Sequence, residues 1–275
     1  MIKRLFAKKS MNEEQLIAAS DEHCAHIENL VQEKDIKGAI RLTKRFQKKF
    51  PYNIRGIGNS AIMISEAGDV RAAIELFTTL YEQNPDDANS ALNLAVCYNR
   101  LEHRDVALEY VTEAYQIDPK NVGACVCLSE SLFVLNKVEE SLQVCLDAIA
   151  RNTEHHLIWF CLGCCKMREG ASEEACDAFK NSLEIDPTHF ESFANYGATL
   201  VGMKDWDKAE GIILQALELR PDDGVTLCNL AQIYEAQDRT DDAYRLYKRS
   251  TKVDHEYERA YADVERLAEQ LGISQ

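Results

Sequence analysis

All five prolines of this 275-residue chain fall on one beat. Pro51, Pro85, Pro119, Pro187 and Pro221 are separated by 34, 34, 68 and 34 residues. The vacant beat holds Thr153, and the next one past Pro221 holds His255. Proline lacks an N–H and disfavours helix at the residue before it, so each proline ends an element at the same point of its unit. A fixed period of about 20–50 residues marks a chain built from stacked copies of one small unit, not around a single closed core.

Other columns keep the beat. Twelve residues before it stand Ala39, Ala73, Ala107, Ser141, Ala175, Ala209 and Ala243. Twelve residues earlier still stand Ala61, Ala95, Ser129, Gly163, Gly197 and Ala231, with Ile27 breaking the column in the first unit. Small residues at two such points predict two helices crossing closely, because a larger side chain would push the backbones apart. The apolar spacing is helical. In residues 88–121, Ala91, Leu94, Ala95 and Tyr98 form one stripe, and Val106, Ala107, Tyr110, Val111 and Ala114 form a second. The polar stretch Glu102-His103-Arg104-Asp105 separates them. Each unit therefore reads as helix, short turn, helix, stop.

This pattern resembles the tetratricopeptide repeat family. The residues that carry the likeness are Ala91…Leu94-Ala95…Tyr98…Ala107…Val111…Ala114…Pro119 and Trp159…Leu162-Gly163…Ala175…Phe179…Ser182…Pro187. The resemblance implies an all-α fold, a right-handed α-α superhelical solenoid of seven 34-residue helix-turn-helix repeats. They would occupy 20–53, 54–87, 88–121, 122–155, 156–189, 190–223 and 224–257 of residues 20–257. Residues 1–19 are then a basic N-terminus and the start of the first helix, and 258–275 a capping helix and tail. The sequence departs from the family pattern at His23, His26 and Lys166, and at Thr153 and His255 in place of proline. Tyr261, Val264, Leu267, Ala268 and Leu271 give the final helix one apolar side, as the outer face of an open stack requires. Ser10 and Glu13 are placed to cap the first helix, and residues 1–9 are expected to be mobile.

Composition narrows the function classes. The net charge of −15, from 31 basic and 46 acidic residues, disfavours a nucleic-acid partner. No phosphate-binding loop, HExxH or GxSxG sequence is present, so no catalytic residue, cofactor site or metal site is expected and the chain reads as a non-enzyme. The start MIKRLFAKKS offers only Leu5, Phe6 and Ala7 as an apolar core, too few for a secretory signal, and the ten cysteines then read as reduced thiols of a cytoplasmic protein.

The resemblance implies a concave groove lined by the first helix of each unit, at unit positions 2, 5, 6, 9, 12 and 13, that binds an extended peptide or helix of another protein. Position 6 then supplies Asn59, Asn93, Asn195 and Asn229, whose amides can each donate and accept one peptide hydrogen bond. Val126, Phe133, Leu157, Phe160, Cys164 and Met167 would form an apolar patch between them. Helical spacing alone equally allows Phe133 and Met167 to be core. Some members of the family clamp a chaperone's C-terminal carboxylate with basic residues at positions 2, 5 and 6; here those positions hold only Arg55, so the clamp is absent.

Two further features stand out. Cys127, Cys161 and Cys164 suggest an alternative role as a thiol- or metal-responsive sensor, against the plainer reading of small core residues. A regulatory or substrate-recruiting subunit of an enzyme complex is the other alternative. His155-His156 reads as a solvated turn. Residues 1–55 carry net +5 and residues 56–275 net −20. Lys34, Lys37, Arg41, Lys44, Arg45 and Lys48 recur at helical spacing as a basic stripe. That stripe could be a solvated face, meet an acidic unit of a second copy head-to-tail, or hold the N-terminus to an anionic membrane.

Overall fold

The computed structural model describes residues 13–253 and 258–273. Ser10, residues 1–9 and His255 lie outside the described residues. Among those described, every regular element is a helix. The chain divides into two compact units, Met1–Ser131 and Leu132–Gln275.

The first unit holds α1 (Glu13–Gln32), α2 (Ile36–Lys49), α3 (Ile54–Glu66), α4 (Val70–Gln83), α5 (Ala88–Arg100) and α6 (Arg104–Ile117). The division falls inside α7 (Val122–Val134). The second unit continues with α8 (Val138–Ala150), α9 (His156–Glu169), α10 (Ser172–Ile185), α11 (Phe190–Gly202), α12 (Trp206–Leu219), α13 (Gly224–Ala236), α14 (Thr240–Val253) and α15 (Glu258–Leu271). Consecutive helices pack as hairpins: α1 on α2, α3 on α4 and α5 on α6 in the first unit, then α9 on α10, α11 on α12 and α13 on α14 in the second. The odd-numbered helices also touch one another, α1 with α3, α3 with α5, α9 with α11 and α11 with α13.

The small-residue columns sit where these helices cross. Ala39, Ala73, Ala107, Ser141, Ala175, Ala209 and Ala243 are fully buried, as are Ala61, Ala95 and Ala231. At the tightest crossings even a methyl group is too large. A Cβ on Gly163 would lie 2.5 Å from the Phe179 ring, and one on Gly197 would lie 2.4 Å from Ile213. The larger side chains that fill the space beside them, Phe77, Phe179, Ile213 and Tyr247, are almost wholly buried.

The turns repeat on the same period by a device the proline column does not reveal. Lys34, Gly68, Glu102, Asn136, Gly170, Lys204 and Asp238 all have left-handed backbone, with φ between 59° and 104°, and each is 34 residues from the next. In each case the following N–H reaches back to a carbonyl of the preceding helix: Asp35 to Leu30, Asp69 to Ile64, His103 to Tyr98, Lys137 to Leu132, Ala171 to Lys166, Asp205 to Leu200 and Arg239 to Tyr234. This bond satisfies a terminal carbonyl and reverses the chain into the second helix. Asp35 and Asp69 then cap that second helix by accepting from Gly38 N–H and Ala72 N–H. Where the proline is missing, the same device replaces it. Asn152 takes φ 56°, and Thr153 N–H bonds to the Ala148 carbonyl at 3.0 Å, ending α8 without a proline.

The last helix closes the second unit. Ala260 and Leu267 are buried against α13 and α14 residues, with Val264 partly buried beside them, and Ala268 is buried as well. Tyr261, assigned to the apolar side by spacing, is 42% exposed, its hydroxyl donating to the Thr251 carbonyl instead.

Candidate functional site

In each unit the candidate site is the face of its odd-numbered helices. In the second unit the sequence-predicted residues fall on three of them, Leu157, Phe160, Cys164 and Met167 on α9, Asn195 on α11 and Asn229 on α13, with Phe133 at the end of α7. They are not equally available. Met167 is 38% exposed, whereas Leu157, Cys164, Asn195 and Asn229 are half-buried. Phe160 is wedged, its ring 6.1 Å from Phe179 and 5.1 Å edge-on from His189, so it serves the packing of α9 on α10 and α11 as much as any surface. Phe133 is half-buried beneath the Arg168 guanidinium, 4.5 Å above its ring, and Arg168 also donates to Asn136. A cation therefore caps this end of the apolar patch.

Asn195 and Cys164 meet across the α9–α11 contact, the amide donating toward the sulfur at 3.7 Å. In the first unit Asn59 is exposed and Asn93 half-buried. Val126, placed on the surface by spacing, is only 9% exposed and offers little to a ligand. Arg55, the lone basic residue at the clamp positions, is paired with Asp21 at 3.0 Å.

Sequence reasoning missed two exposed apolar residues beside the patch. Val134 is 62% exposed and Leu135 37% exposed, where α7 ends and its turn begins. A helix-period template assigns the final residue of a helix weakly, because the next turn decides where it points. It also misjudged His155-His156. The two rings stack at 4.4 Å, His156 lies 4.9 Å from His189, and His156 Nε2 approaches Asp186 at 3.6 Å. Burial holds His155 and His189 below the ordinary imidazole range. These histidines are a packed junction between the starts of α9 and α11.

The cysteines separate by environment. Cys161 is buried, and burial together with the Glu130 charge pushes the Cys127 thiol up to about 11, away from the thiolate that metal binding or oxidation needs. The close thiol pair is a different one. Cys145 and Cys165 are both buried between α8 and α9, where the Cys145 hydrogen bond draws the Cys165 thiol down to about 7, and Ser141 Oγ lies 3.2 Å from its sulfur. Among the described residues no three histidine, cysteine or acidic side chains are gathered so as to hold a metal ion. No described helix is long and apolar enough to cross a membrane.

Comparison with known proteins agrees with this architecture. Profiles described as tetratricopeptide repeat match residues 157–189 and 188–256, and that of the anaphase-promoting complex, cyclosome, subunit 3 matches residues 66–148. BBSome complex member BBS4 of Bos taurus is 22% identical over 157 residues, 57% of this chain and 30% of that protein. Anaphase-promoting complex subunit 3 of Schizosaccharomyces pombe is 27% identical over 128 residues, 46% of this chain and 19% of that protein. The chain spans no more than about a third of the length of these curated relatives. Among solved structures, the Cut9–Hcn1 hetero-tetramer matches 97% of this chain and 55% of its own with a TM-score of 0.67 at 16% identity. YrrB, a TPR protein with an unusual peptide-binding site, matches 69% of this chain and 97% of its own with a TM-score of 0.55 at 17% identity. A left-handed turn every 34 residues, a small-residue crossing in each hairpin and these matches along the chain lead to one conclusion: it belongs to the tetratricopeptide repeat family.

Proposed function

We propose that the protein is a non-catalytic scaffold that binds a peptide or helix of a partner protein along the face of its odd-numbered helices. The observation that carries this reading is the packing of those helices directly on one another within each unit, which sets polar amides and partly exposed apolar side chains at repeated spacing along them. Such a face is ordered before the partner arrives, so little conformational freedom is lost on the receptor side. The relatives named as members of complexes support placement in a multi-protein assembly, whether as an adaptor or as the recruiting subunit of an enzyme complex. A thiol or metal sensor built on Cys127, Cys161 and Cys164 is disfavoured by the burial of Cys161 and by the raised Cys127 thiol.

The reading is tested on a partner recovered from native lysate, identified, and measured with purified components. Asn93→Ala combined with Asn195→Ala is expected to weaken binding about tenfold, in line with loss of one or two hydrogen bonds, while far-UV circular dichroism stays unchanged. Met167→Glu tests the apolar end of the face better than a change at Phe160, whose ring also packs against Phe179. Affinity unaltered by both sets of changes would contradict the proposal.

A further inference from the structure

The first unit carries a second candidate surface. Between α1 and α2 lies an open crevice of about 740 Å³. Its apolar lining comes from Ala18 and Ala19 on α1 and from Leu42, Phe46 and Phe50 on the α2 side. Arg45 and Lys49, one helical turn apart, stand along its α2 edge, with Glu22 on the α1 edge. The charge around it is unbalanced. Of the stripe, Lys44 is held by Glu75 at 2.7 Å and Arg41 lies 4.0 Å from Asp35. Among the described residues, Lys34, Lys37, Arg45, Lys48 and Lys49 have no acidic partner within ion-pair distance.

His23 adds an independent sign. It lines the crevice, is only 5% exposed, and stacks face to face on Phe46 with ring centroids 4.0 Å apart. Its Nε2 has no hydrogen-bond partner. A buried polar atom without a partner is costly, so the wall of the crevice at His23 is not fully satisfied by the chain itself. An apolar floor and two cations at the edge describe a site for a side chain with a carboxylate neighbour.

We propose that the α1–α2 crevice binds an acidic amphipathic peptide segment of a partner protein, an apolar side chain resting on Phe46 and Phe50 and a carboxylate facing Arg45 and Lys49. The chain's own first twelve residues are a poor occupant, because they carry Lys3, Arg4, Lys8 and Lys9 and no acid. A lipid surface is also a poor fit, because the apolar residues line a concavity and do not protrude from it.

The probe is a fluorescein-labelled ten-residue peptide alternating leucine and glutamate, read by fluorescence anisotropy on the full chain. The control peptide has lysine in place of glutamate. The glutamate peptide is expected to bind, and its affinity to fall several-fold as salt rises from about 50 to 500 mM. Arg45→Glu with Lys49→Glu is expected to weaken it about tenfold or more. Ala18→Trp, on the exposed side of α1, fills the crevice without disturbing the core and is expected to do the same. Equal binding of the lysine peptide, or binding untouched by both variants, overturns the proposal. So does peptide binding that appears only when residues 1–12 are removed, which assigns the crevice to the chain's own segment. Self-association abolished by Ala18→Trp without peptide binding assigns it to a second copy, and binding to phosphatidylserine vesicles without peptide binding assigns it to a membrane. Either result overturns the proposal too.

Discussion

Phe179→Ala is expected to destabilise the second unit by about 3–5 kcal/mol, the range for removing a fully buried aromatic ring from a close-packed core. Phe179 is fully buried on α10, and its ring occupies the space that a side chain on Gly163 of α9 would need. The two positions are therefore coupled. Gly163→Ala alone gains about 1 kcal/mol of helix propensity but forces the ring aside, for an expected net loss of about 1–2 kcal/mol. In a Phe179→Leu background the same change should cost much less, because the obstructing ring atoms are gone. Both tryptophans, Trp159 and Trp206, lie in the second unit, so tryptophan fluorescence during urea unfolding reads this unit alone. Additive effects of the two substitutions would show that α9 and α10 do not meet through this contact.

Acid is expected to weaken the first unit through His23. Burial, with a smaller contribution from the His26 charge, lowers its pKa from the ordinary 6.5 to about 4. The folded state therefore holds the neutral ring, and the unfolded chain takes up the proton first. Stability is complete above pH 6.5 and falls as the pH drops from 6.5 toward 4. The loss is about 2 kcal/mol at pH 5 and approaches about 3 kcal/mol near pH 4. Amide exchange of α1, α2 and α3 at pH 7 and pH 5 measures it. His23→Leu should flatten that dependence, and a slope unchanged by the substitution would contradict the assignment.

The hairpins were legible because backbone crossings demand small residues and helix ends demand stops. Ala73, Ala107 and Gly163 recur for that steric reason, and Pro85 and Pro119 for the other. The left-handed turns were not legible, because Lys34, Glu102, Asn136, Lys204 and Asp238 do with φ near 60° what Gly68 and Gly170 do, and a polar residue there carries no compositional mark. Thr153 looked like a broken beat, yet Asn152 beside it ends the helix by a different route. The site was legible only in part. Spacing places Phe160, Val126 and Met167 on one helix face alike, but exposure depends on the neighbouring helix. Phe179 and His189 take up Phe160, Val126 is buried, and Met167 stays partly open. Of the basic stripe, Lys37, Arg41, Lys44, Arg45 and Lys48 lie on α2, whereas Lys34 sits in the left-handed turn before it, where helical spacing does not hold.

The most direct measurement of the central claim works before any partner has been identified. A photo-crosslinking amino acid is placed at Asn229, on the odd-helix face of α13, or at Leu214, which is 41% exposed on α12. Both proteins are irradiated in their native cells. A discrete partner adduct from position 229 and none from position 214 is the predicted result. An adduct from position 214 with none from position 229 would place recognition on the even-numbered helices and contradict the account.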